Sequence, residues 1–124
     1  MHHILAIAVG GAFGSVLRFL VSTWTYNRLG SGFPYGTLLV NVAGSLLMGL
    51  LYTLLVERSS LDPVWRAGLL VGVLGGFTTF SAFSMETLNL IASGELPKAL
   101  ANILLSVGLC LTATWIGVLG ARQL

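Results

Sequence analysis

Of 124 residues, 56% are apolar and only 8% are charged, six basic against four acidic, for a net charge of +2. A soluble globular domain carries roughly 25% charged residues, so this composition argues against a water-soluble monomer, and the lack of a basic run argues against a nucleic-acid surface. The uncharged runs 1–17, 29–56, 67–85 and 99–121 each approach the roughly 20 residues that a helix needs to cross a bilayer, which predicts one all-α integral membrane domain over 1–124.

The first predicted span covers about 4–24. It has no Lys or Arg before its apolar stretch and no A-x-A site after it, so it reads as a retained helix rather than a cleaved signal. His2 and His3 are adjacent and terminal, which favours a solvated end over a metal site. Gly10 and Gly14 form a GxxxG pair, the spacing that lets membrane helices approach closely. Arg18 closes the run, either snorkelling at a helix end or drawing anions into a vestibule. The turn that follows holds Asn27, Arg28, Gly30, Gly32 and Pro34.

The second span, about 35–56, carries Thr37, Asn41, Ser45 and Gly49 at i+4 spacing, a polar stripe along one slowly winding face. A single hydroxyl there reads first as an interhelical hydrogen bond. Asn41 is harder to absorb as packing, because its amide brings two donors and two acceptors to bilayer depth, where polar groups are costly.

After a turn at 57–63, the third span, about 65–92, starts on the small-residue ladder Gly68, Gly72 and Gly76. It is expected to break near 75–80. Two adjacent glycines and two β-branched threonines weaken a helix where membrane backbone can least go unpaired. Freed carbonyls can bind a cation, while freed N–H groups and hydroxyls can bind an anion, as in transporters with discontinuous helices. Phe80 and Phe83 share a face beside Ser81 and Ser84, and their ring edges carry partial positive charge. Glu86 reads either as a structural acceptor, capping or pairing with Arg18, or as a proton-coupling carboxylate.

A turn at Ser93, Gly94 and Glu95 before Pro97 leads to the fourth span, about 97–120. It repeats the stripe device with Asn102, Ser106, Cys110 and Thr114. Cys110 is the sole cysteine, so it can form no intrachain disulfide and reads as a small packing residue. Lys and Arg in the flanks set orientation. One side receives Arg58, Arg66 and Arg122, and the other Arg28, Lys98 and, if it snorkels outward, Arg18. So even a split permits insertion in both orientations and makes antiparallel pairing of two copies natural.

Three ordered motifs then meet a known pattern: Gly10-Gly11-Ala12-Phe13-Gly14-Ser15-Val16-Leu17-Arg18, Gly36-Thr37-Leu38-Leu39-Val40-Asn41-Val42-Ala43-Gly44, and Gly75-Gly76-Phe77-Thr78-Thr79-Phe80-Ser81. Together they make the chain resemble, over essentially its whole length, the Fluc/CrcB family of small fluoride channels. The resemblance implies four membrane helices with the third broken, and an antiparallel, dual-topology homodimer in the cell's inner membrane with two fluoride pathways. It also implies a sodium ion at the dimer centre, held by the backbone carbonyls of Gly75 and Thr78. Phe80 and Phe83 match the aromatic pair lining the pores and Asn41 the pore asparagine, with Ser81, Thr37 and Ser106 as further hydroxyls along the path. Ala82 and Asn102 depart from the pattern, standing where threonine and tyrosine are frequent.

The rival of another mechanism is a small multidrug-resistance exporter, also a four-helix dual-topology dimer. Such exporters rely on a glutamate in the first helix, and residues 1–24 hold no acidic residue. A non-transporting assembly subunit would explain the GxxxG pairs but not the polar groups around the expected break. An enzyme is disfavoured, since no nucleophile–base or paired-carboxylate constellation is present.

Overall fold

The computed structural model describes residues 1–57 and 61–124, and its regular elements are all helices. Helix α1 spans His2–Leu29 and ends at Gly30, whose φ of 83° suits a residue without Cβ and whose N–H donates to the Tyr26 carbonyl at 2.8 Å. Helix α2 spans Tyr35–Tyr52 and widens into a π-helical turn over Thr53–Glu57. Arg58, counted among the flanking cations, lies outside the described residues.

Helix α3, Pro63–Arg66, begins where the Asp62 carboxylate accepts from the Val64 N–H at 2.9 Å, with proline at its first position. It continues as a π-helical stretch over Ala67–Leu74 and then as α4, Gly75–Phe77. Thr78 and Thr79 are extended, at φ/ψ of −87°/157° and −151°/119°, and α5 then runs over Phe80–Ala92. Helix α6 spans Leu96–Arg122. Four stretches, His2–Leu29, Tyr35–Glu57, Pro63–Ala92 and Leu96–Arg122, are long and apolar enough to cross a membrane. At 1.5 Å rise per residue, the 28 residues of α1 reach about 42 Å, more than the ~30 Å hydrocarbon core.

Glycines set how closely these helices approach. A Cβ on Gly10 would lie 2.3 Å from the Gly68 carbonyl oxygen, and one on Gly14 would lie 2.1 Å from that of Val73. Backbone therefore rests on backbone between α1 and the first half of the third span. The α2–α6 crossing repeats the device: a Cβ on Gly49 would meet the Thr114 oxygen at 2.1 Å, and one on Gly117 would meet that of Leu46 at 2.3 Å. The interior is thin, with Val40, Leu74, Phe77 and Ala99 buried, while Val9, Phe13, Phe19 and Leu104 stand outward. In lipid an apolar exterior is the favourable arrangement, since hydrocarbon is as apolar as leucine.

Candidate functional site

The extended pair Thr78–Thr79 has its polar groups met from the side rather than along the helix. The Thr79 N–H donates to Asn41 Oδ1 at 2.8 Å, and Asn41 Nδ2 donates back to the Thr79 carbonyl at 2.9 Å. Thr79 Oγ1 then accepts from the Ala82 N–H at 3.2 Å, capping α5. In a continuous helix these two N–H groups would be directed at the carbonyls of Gly75 and Thr78. On the α1 side, Arg18 Nε donates to the Gly76 carbonyl at 3.0 Å.

Beside this junction, between α2, α5 and α6, lies a cavity of about 390 Å³. Asn41, Thr78, Phe80, Phe83, Ser106 and Thr114 are among its lining residues, and no charged side chain is. The Phe80 and Phe83 rings sit 5.2 Å apart, tilted at 40°. Phe83 is half-buried, whereas Phe80 is 77% exposed on the single chain. Ser106 is held by a relay: it donates to Asn102 Oδ1 at 3.3 Å, Asn102 Nδ2 donates to Thr87 Oγ1 at 2.8 Å, and Thr87 donates to the Phe83 carbonyl at 2.7 Å. Asn102, where the resembled pattern often has tyrosine, thereby ties α6 to α5.

Other candidate residues lie apart from this cavity. Thr37 and Tyr26 both donate to the Glu86 carboxylate, and the Thr37 N–H reaches Tyr26 Oη at 3.4 Å. Glu86 thus joins α1, α2 and α5, while Arg18 bonds the Gly76 carbonyl; no ion pair joins the two among the described residues. Ser81 approaches Thr79, hydroxyl to hydroxyl at 3.3 Å, and does not line the cavity. Gly75 is exposed on the chain surface. Among the described residues no three His, Cys, Asp or Glu side chains cluster, so the oxygens on offer to a cation at the junction are carbonyls and hydroxyls.

Tyr26, Thr79 and Thr87 were not singled out as site residues by the sequence. Tyr26 had a signal, a phenol within one turn of the helix end facing the start of the next span, where a polar tip needs a partner. Thr79 was marked only as one of the two β-branched threonines at the expected break, and Thr87 carried no signal beyond a hydroxyl in an apolar run.

Residues 5–118 match the family described as "CrcB-like protein, Camphor Resistance (CrcB)". The chain is 53% identical over 121 residues to a Methylococcus capsulatus protein named "Fluoride-specific ion channel FluC", covering 98% of this chain and 53% of that one. It spans about half the length of that relative. It is 53% identical over 117 residues to a protein of the same name from Shewanella amazonensis, covering 94% of each. With the one from Geobacter sulfurreducens the identity is 49% over 124 residues, and both chains are covered in full.

Proposed function

The chain belongs to the CrcB-like family, and from that premise we propose that it is a fluoride-selective ion channel of the cell's inner membrane that exports fluoride and lowers its cellular concentration. The observation that carries the reading is the uncharged cavity at the Thr78–Thr79 junction, where Asn41, Phe80, Phe83 and Ser106 meet. The multidrug-exporter alternative is not favoured, because the full-length relatives are named fluoride-specific channels.

Fluoride is small, strongly hydrated and a strong hydrogen-bond acceptor. Moving such an ion unpaired into a low-dielectric medium costs tens of kcal/mol, so a path must replace water with donors. One hydrogen of Asn41 Nδ2 is used on Thr79, and Asn41 also lines the cavity. Phenylalanine edges add partial positive charge without a fixed cation. A lysine or arginine in the lining would hold the anion too tightly for release, whereas weak donors in series let it move from one to the next. Ser106 presents its hydroxyl oxygen at the cavity wall, its hydrogen given to Asn102; Ser81 and Thr37, which do not line the cavity, are taken as further hydroxyls along the path, with the Thr37 hydrogen given to Glu86.

The reading includes an interrupted third span and an antiparallel homodimer of dual topology. The extended dihedrals at Thr78 and Thr79 support the first. The exposure of Gly75 supports the second, since its carbonyl has lost its helical donor and a second copy would cover a polar group that lipid cannot pair. It also includes a sodium ion between the copies, and the donor set fits. The Gly75 and Thr78 carbonyls have lost their helical donors to Asn41 and to the Thr79 hydroxyl, leaving hard oxygens of the kind such cations take. Bound there, the ion would supply positive charge to tie the two helix junctions together.

The test is efflux from liposomes holding the purified protein. Fluoride should leave rapidly and chloride far more slowly when a potasssium-diffusion potential permits it; equal release of both, or of neither, would reject the channel.

A further inference from the structure

Asn41 is engaged in a way that a simple anion donor is not. Its amide pairs with both the N–H and the carbonyl of one residue, Thr79, at 2.8 and 2.9 Å. The orientation of the amide is forced, because a backbone N–H can only donate and Oδ1 must therefore face it. Thr79 has an alternative: in a healed helix its N–H would return to the Gly75 carbonyl. At membrane depth neither group can be left to water, so the extended conformation needs a competitor that satisfies donor and acceptor together. A side-chain amide does this with two separate atoms; an aliphatic or an ionised carboxylate at position 41 does not, and a hydroxyl has one oxygen to serve both groups.

We propose that Asn41 is a positioning residue that holds the third span open at Thr79, and that it thereby frees the Gly75 carbonyl and sets the Phe80 and Phe83 rings at the start of α5. By fixing Thr79, the clamp also aims Thr79 Oγ1 at the Ala82 N–H, 3.2 Å away, which frees the Thr78 carbonyl in turn. One side chain so determines the backbone on both sides of the junction, and Asn41 also lines the cavity. The backbone part of this proposal stands on the hydrogen bonds alone; its consequence for flux rests on the channel reading above.

The experiment uses full-length labelled protein in lipid bilayers, with two readouts: the 13Cα and 13C′ NMR shifts of Thr78 and Thr79, which distinguish extended from helical backbone, and fluoride efflux from liposomes. Two variants are compared. Asn41→Leu removes both clamp bonds at similar volume. A backbone ester at residue 79, introduced with the α-hydroxy analogue of threonine, removes the Thr79 N–H, weakens the Thr78 carbonyl as an acceptor and leaves the Asn41 side chain whole. The expected result is that Asn41→Leu moves both threonines to helical shifts and lowers efflux at least tenfold, and that the ester also lowers efflux several-fold. Asn41→Leu with Thr79 still extended would overturn the clamp, as would an ester variant with unchanged efflux, which would leave Asn41 as an anion donor only. If Asn41→Leu does not fold, the ester decides. If the wild-type protein releases no fluoride, the channel reading fails, and the shifts in Asn41→Leu still decide the clamp.

Discussion

Glu86 accepts from hydroxyls on two other helices, Tyr26 on α1 and Thr37 on α2, so removing those donors one at a time measures what holds the three together. Neutral interhelical hydrogen bonds in a membrane average ~0.6 kcal/mol and reach ~1.7. A bond to a charged acceptor is worth ~1.5–3 kcal/mol in soluble proteins. Glu86 is only half-buried, which places each of these bonds between the two, at roughly 1–2 kcal/mol. Tyr26→Phe and Thr37→Val should each destabilise by about that amount, and each should couple to Glu86→Gln by about 1 kcal/mol, because the amide keeps one acceptor and loses the charge. Reversible unfolding in mixed micelles with sodium dodecyl sulfate, run as two double-mutant cycles, gives the numbers. Couplings of both pairs below about 0.3–0.5 kcal/mol, the scatter of independent sites, would show that the carboxylate joins nothing.

At the α2–α6 crossing, Gly49→Ala should destabilise by about 1–3 kcal/mol or more, because its Cβ would stand 2.1 Å from the Thr114 oxygen, while Gly108→Ala, with nothing within 4 Å, should be neutral or stabilising in the same unfolding assay. Phe80→Ile and Phe83→Ile should elute in size-exclusion chromatography as wild type does yet lose most fluoride efflux, since an aliphatic surface offers the anion no positive edge; unchanged flux in well-folded variants would make the rings scaffold. Labelling of the N-terminus in intact cells should find it on both faces of the membrane, and a single orientation would remove the dual-topology proposal.

The four apolar spans were legible because ten charged residues cut the chain into runs of membrane length. Side-chain partnerships were less so. Thr37 and Asn41 fall on one face by spacing, but an i+4 row winds, and four residues suffice to send Thr37 to Glu86 and Asn41 to Thr79. Arg18 read as snorkelling or vestibular, yet its Nε donates to Gly76, a carbonyl that only a departure from helical backbone makes available. The sequence offered a weakened helix at Gly75–Thr79 but no sign of which side chain would take up the released N–H groups, because that depends on the depth at which α2 lies against the third span. Close approach was the more readable quantity: GxxxG at Gly10 and Gly14 named the helix face, and the partner carbonyls at Gly68 and Val73 sit against it.

That glycine face has a consequence for how the protein responds to heat. Fixing a side chain in one rotamer forfeits conformational entropy, a loss that grows with temperature, whereas glycine has no rotamers to forfeit. Where Gly10 and Gly14 meet the Gly68 and Val73 carbonyls, no side chain is frozen by docking. The contact between α5 and α6 includes instead the Asn102–Thr87 hydrogen bond, whose two side chains are each held further, Asn102 by Ser106 and Thr87 by the Phe83 carbonyl. Warming therefore penalises the second half of the third span more than the first, and α5 should come away from α6 while α1 still grips the glycine ladder.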